Sequence, residues 1–142
     1  MADLFLIAEI AGRPVAIASD QVESVVDIGG IVPVPRADRR VRGLAALRSR
    51  VVTVIDTRAV LGLDPDTSAA SRAVITAIDG HHYAILVDAL EDVTPCALQP
   101  LAGGIVLCPG WQSVGCGIVE LGGEPVLAID LRAMVPGLAA AA

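Results

Sequence analysis

Nowhere does this chain hold an apolar run for more than a few residues before Gly, Pro or a charged side chain interrupts it, and that punctuation limits the fold more than any other feature. Short runs broken at near-regular intervals by turn residues are the pattern of an all-β sandwich or barrel. Ten strands are predicted: Leu4 to Ile10, Val15 to Ala18, Val22 to Ile28, Val41 to Ala46, Val51 to Ile55, Ala73 to Ile78, His82 to Val87, Leu90 to Thr94, Gly115 to Leu121 and Pro125 to Ile129. Hairpin chemistry joins three pairs of them: Ala11-Gly12-Arg13, Asp79-Gly80 before His81, and Gly122-Gly123 before Glu124. Gly and Asp tolerate the positive φ that tight hairpin turns require.

Two segments leave the strand pattern. Thr57 to Leu61 and Leu131 to Val135 each follow an Asp, which can accept hydrogen bonds from the first free N–H groups of a helical turn. The turns stop near Gly62 and Pro136-Gly137. Their surroundings repeat: Val54-Ile55-Asp56-Thr57-Arg58-Ala59 against Ala128-Ile129-Asp130-Leu131-Arg132-Ala133. The chain therefore reads as one domain, residues 1–142, made of two related halves. In that reading Asp56, Arg58, Asp130 and Arg132 are structural, the Asp capping and the Arg either solvated or reaching a carboxylate in its own half. The Pro/Ser/Thr/Ala segment from Asp64 to Arg72 reads as a connector, and Ala139 to Ala142 as a frayed tail.

With 54% hydrophobic residues but only 2% aromatic, the interior must be filled by Val, Ile, Leu and Ala, around Phe5, Tyr83 and Trp111. A net charge of -6 argues against nucleic acid, whose phosphates call for a positive surface. The uncharged stretch from Val93 to Val119 is cut by Pro95, Pro100, Pro109 and several glycines, so it reads as loops around short strands rather than a helix or a membrane span. No secretory signal is evident at the N-terminus, so a cytoplasmic location is expected, with no direct membrane insertion.

Candidate chemistry is thin. No phosphate-binding glycine loop is present. His81 and His82 are adjacent on a strand and point to opposite faces, as do Glu91 and Asp92, so neither pair suggests a metal site or an acid–base couple. Cys96, Cys108 and Cys116 suit buried reduced thiols, and a small enzyme using one of them with His81 or His82, or a metal, is the weakest of the functional readings. No catalytic residue, metal ligand or cofactor is therefore expected. All ten basic residues are Arg, and Arg36, Arg39, Arg40, Arg42, Arg48, Arg50 and Arg58 fall in one stretch, which suggests a recognition face.

Four blocks then resemble the CheW family of chemotaxis coupling proteins. They are Phe5-Leu6-Ile7 with Gly12 and Val22-Glu23-Ser24-Val25; Val41 through Arg58; Ala73 to Asp79 with His82 to Val93; and Gly117 to Arg132. The chain departs from the family pattern at Ser24, Ala46, Ser49 and Thr53. The resemblance implies an all-β fold of two five-stranded SH3-like barrels packed on a shared apolar core, with short helical turns near 57–61 and 131–135. It also implies a non-catalytic adaptor between the cytoplasmic tip of a methyl-accepting chemoreceptor and the regulatory domain of a CheA-type histidine kinase. By position, Val22, Ser24, Gly43 and Arg48 match receptor-facing places, and Leu90 and Val93 a groove near the kinase or other partner. A scaffold of the same fold in a chemosensory pathway controlling pili or gene expression is the alternative.

Overall fold

The computed structural model describes residues 3–36, 40–47, 50–62, 72–100 and 109–135. Ten strands run in chain order: β1 (Asp3–Ile10), β2 (Arg13–Ala18), β3 (Ser24–Asp27), β4 (Val41–Leu47), β5 (Arg50–Ile55), β6 (Arg72–Ile78), β7 (His81–Leu86), β8 (Ala89–Cys96), β9 (Gly115–Leu121) and β10 (Glu124–Ile129). All ten predicted strands are present. Both predicted helical turns are too, as α1 (Thr57–Val60) and a 3-10 turn (Leu131–Met134). Another 3-10 turn, Ser19–Gln21, precedes β3, which begins at Ser24, two residues later than expected.

The loop reading of the Pro/Gly-rich region needs one correction. Pro109–Val114 forms a helix, α2. Proline is tolerated in a first helical turn, where its missing N–H would have no partner. Gly110 lies so close to the Leu61 carbonyl that no Cβ would fit, so this glycine permits close packing instead of breaking the helix. Arg48, Ser49, Arg39, Cys108, the connector 64–71 and the tail 139–142 lie outside the described residues. Among the described residues no helix is long and apolar enough to cross a membrane.

The strands form two five-stranded sheets of matching order, β8-β1-β2-β10-β9 and β3-β6-β7-β5-β4. Each contains one parallel pair, β2 with β10 and β5 with β7. Each is closed by an isolated bridge, Gln99 with Ile118 and Val32 with Leu44. The three hairpins turn through Ala11-Gly12, Asp79-Gly80 and Gly122-Gly123, with positive φ at both residues of each pair. Two such residues match the right-handed twist of the flanking strands.

Alternation along the strands sends side chains into three cores. Phe5, Ile7, Ala16, Val119, Val126 and Ala128 fill the first barrel, while Val52, Val54, Ala73, Ile75, Ala84 and Leu86 fill the second. Opposite faces of the same strands supply a shared core, where Leu6, Ile10, Val15 and Ile17 join Val74, Ile78, Ile85 and Ile129. Burial on both faces explains why β1, β2, β6, β7 and β10 read as near-continuous apolar runs. Burying each Val or Ile contributes about 1.5–3 kcal/mol, so the shared core is a large part of what holds the barrels together.

Strand order also shows how the sequence repeat maps onto the barrels. Replacing β1–β5 by β6–β10 and the reverse turns one sheet order into the other. Yet β3, β4 and β5 share a sheet with the hairpin of the second half, and β8, β9 and β10 with that of the first. The chain passes from one barrel to the other between β2 and β3, and back between β7 and β8.

Candidate functional site

Both crossovers carry a similar local sequence, Asp20-Gln21-Val22-Glu23-Ser24-Val25 and Asp88-Ala89-Leu90-Glu91-Asp92-Val93, with Asp, Glu and Val at matching places. Matching register fixes the correspondence, since Val25 pairs with Val74 in one sheet and Val93 with Leu6 in the other. Val22 and Leu90 are half-buried against the shared core. Val25 and Val93 stand out from it, 43% and 54% exposed. Four residues singled out in the sequence, Val22, Ser24, Leu90 and Val93, thus fall on the two crossovers, one pair on each. This repeat is visible in the sequence, and comparing the halves beyond Ile-Asp-x-Arg-Ala finds it.

Gly43 lies on β4, which the Val32–Leu44 bridge joins to the segment following β3, the strand of Ser24. Its backbone is pressed against the Val32 carbonyl of the closing bridge, at φ 156°. That approach is reason enough for glycine there. Gly117, at the same place on β9, meets the Gln99 carbonyl in the same way.

Behind each crossover stands one of the two repeated Asp residues. Asp56 Oδ1 accepts from the Ala59 N–H at 3.2 Å, capping α1, and Oδ2 takes Arg42 Nη2 at 3.3 Å. Asp130 Oδ1 accepts from the Arg132 N–H at 3.0 Å and from Gln21 Nε2 at 2.8 Å, while Gln21 Oε1 accepts from the Leu131 N–H. Arg42 reaches Asp56 because a bulge between Val41 and Gly43 turns it out of the β4–β5 ladder. The matching bulge in β9 presents Cys116, between the paired residues Gly115 and Gly117.

Cys116 is exposed, against the expectation of three buried thiols, whereas Cys96 is buried in the first barrel. Partial burial, and secondarily the Asp130 carboxylate, push the Cys116 thiol above its usual range, which keeps it protonated. Among the described residues, no three of His, Cys, Asp and Glu converge as metal ligands.

The two crossovers border different surfaces. Beside Asp88, the space lined by Ile10, Arg42, Asp56, Thr57 and Arg58 shrinks to about 20 Å³. Beside Asp20, a groove of about 500 Å³ opens between Gln21, Val22, Glu23, Ile78, His82 and Arg132. Of its lining residues, Glu23 has an oxygen 3.0 Å from His82 Nε2 and another 3.0 Å from Nη1 of Arg50. Glu23 comes from the crossover before β3, Arg50 from β5 and His82 from β7, so sequence spacing could not bring them together. Of the arginine-rich stretch, Arg42 and Arg50 thus have carboxylate partners inside the chain.

Two five-stranded SH3-like barrels on one shared core, joined by crossovers that each expose a valine, define the class of fold. Residues 4–138 match the profile of the CheW-like domain, and the chain belongs to that family. Its fold is similar to the crystal structure of the scaffolding protein TtCheW from Thermoanaerobacter tengcongensis, with a TM-score of 0.78 at 22% identity over 92% of this chain and 90% of that one. Over 80 residues it is 28% identical to the chemotaxis protein CheW of Thermotoga maritima, covering 56% of this chain. The chain spans about half the length of that curated relative, 53%.

Proposed function

We propose that this chain is a non-catalytic coupling adaptor of bacterial chemotaxis, joining the cytoplasmic tip of a methyl-accepting chemoreceptor to the regulatory domain of a CheA-type histidine kinase in the cytoplasm. The observation that carries this is the CheW-like match over residues 4–138. Two distinct crossover surfaces, each with a half-buried and an exposed apolar residue, suit a molecule that holds two partners at once. In this reading Val22, Ser24, Gly43 and Arg48 face the receptor, and Leu90 and Val93 the kinase. Modest single contacts suffice, because linked binding events reinforce one another in an array.

The test is co-precipitation with the kinase regulatory domain and with a receptor tip fragment. Val93→Asp should weaken kinase capture and leave receptor capture intact, and Arg48→Glu should do the reverse. Binding of neither partner by the native chain would end the adaptor reading.

A further inference from the structure

One ring nitrogen in the groove beside Asp20 has two neighbours that it cannot serve in the same way. His82 Nε2 lies 2.5 Å from Arg50 Nη1 and 3.0 Å from Glu23 Oε2, while Glu23 Oε1 takes the same Arg50 Nη1 at 3.0 Å. A guanidinium can only donate and a carboxylate can only accept, whereas an imidazole nitrogen carries either a lone pair or a proton. With a lone pair on Nε2 the ring accepts from Arg50, and Glu23 is left to the arginine alone. Once the ring is charged both of its nitrogens are donors, so Nε2 donates to Glu23 Oε2 and no longer accepts from Arg50. The other crossover is built without this group. Register places Pro14 opposite Glu9 where His82 lies opposite Ala77, while Glu91 stands at the place of Glu23 and Glu124 at that of Arg50.

We propose that His82 is a pH-sensitive latch on the crossover before β3. Imidazole changes charge between about pH 5 and 8, a window in which carboxylates are ionised and guanidinium groups charged. As pH falls through that window, the protonated ring joins Arg50 on Glu23, so that β5 and β7 together hold the crossover. Around these three residues, Asp20 and Arg132 from the two 3-10 turns line the groove with one charge of each sign, and β6 presents only the uncharged Thr76, Ala77 and Ile78. Glu23 N–H donates to the Ile75 carbonyl at 2.8 Å, so a firmer hold on the Glu23 side chain is felt in the backbone bond just before β3. Val22 and Ser24 flank Glu23, and the latch therefore steadies the segment that faces the receptor, a consequence that rests on the receptor assignment above.

Amide hydrogen exchange tests the latch in the native chain, without any partner. Protection of the Glu23 N–H, taken relative to the unfolded-chain rate at each pH, should be about two- to fivefold greater at about pH 5.5 than at about pH 8, the range that an exposed ion pair supplies. The Glu91 N–H of the other crossover should show no such change. His82→Gln, which stays neutral, should give the lower protection at both pH values, and His82→Lys, which stays charged, the higher. Glu23→Gln should abolish the change with the histidine still present. Native protection that changes by less than about twofold, or a change retained in His82→Gln, would overturn the proposal. Circular dichroism checks that the variants fold, and should His82→Gln not do so, Glu23→Gln decides in its place. The readout needs no receptor, so a native chain that captured none would end the adaptor reading and leave the latch standing.

Discussion

Gly43 and Gly117 stand at the same point of the two barrels, each directly after a bulged residue and each pressed against the carbonyl of the segment that closes its barrel. A Cβ on Gly117 would lie 2.6 Å from the Gln99 oxygen and 2.6 Å from Leu98 Cδ1. At Gly43 the backbone φ of 156° adds strain for any L-residue.

Gly117→Ala and Gly43→Ala should therefore each lower stability by about 1–3 kcal/mol, the usual range for overpacking a tight site. Urea denaturation followed by circular dichroism measures it. A Gly43→Ala variant of native stability that still lost receptor binding would return Gly43 to a contact role.

Asp56→Ala removes the cap of α1 and also strips Arg42 of its carboxylate. A loss of about 1–2 kcal/mol is expected. Asp56→Asn, which keeps an acceptor for the Ala59 N–H, should recover part of it. Equal losses for the two variants would show that the ion pair carries the whole effect.

Ala11 adopts φ 53° in the first hairpin, and its N–H donates to Asp88 Oδ2 at 2.7 Å. The carboxylate ties a hairpin of the first barrel to the crossover leaving the second. Asp88→Ala should cost about 1 kcal/mol. It should also speed hydrogen exchange at Ala11, and an unchanged exchange rate there would rule out the tether.

The raised Cys116 thiol makes stability depend on alkaline pH. In the folded chain the thiol holds its proton to higher pH than in the unfolded chain, because burial and then Asp130 disfavour the thiolate. Its contribution is complete below the ordinary thiol range and disappears as pH rises through the folded value. The native chain should therefore lose more stability than Cys116→Ala between neutral and alkaline pH in parallel denaturation series. Asp130→Asn should narrow the difference, and identical pH slopes for native and Cys116→Ala would contradict it.

The strands were legible because their punctuation and apolar alternation are local properties. Asp79-Gly80 and Gly122-Gly123 announce their turns, and the repeated Ile-Asp-x-Arg-Ala marks equivalent strand ends. What no local pattern encodes is which strand a given strand pairs with. Ser24–Asp27 looks the same whether it pairs within its own half or, as it does, with β6 of the other. For the same reason Glu23, Arg50 and His82 were not expected together. The helix at Pro109–Val114 is hidden in the sequence because proline and glycine usually break helices, although here Pro109 opens the helix and Gly110 lets it meet Leu61. Arg42 and Cys116 were legible as residues but not as counterparts, since only the bulges align them.

The mismatch between repeats and barrels has a consequence for the chain's ancestry. One repeat alone, β1 to β5, holds the hairpin of one barrel and three strands of the other, and completes neither. Such a fragment could cover its apolar faces only by trading strands with a second copy of itself. The protein has the form of an exchanged homodimer written on a single polypeptide, in which equivalent positions are free to differ, as Arg42 and Cys116 do.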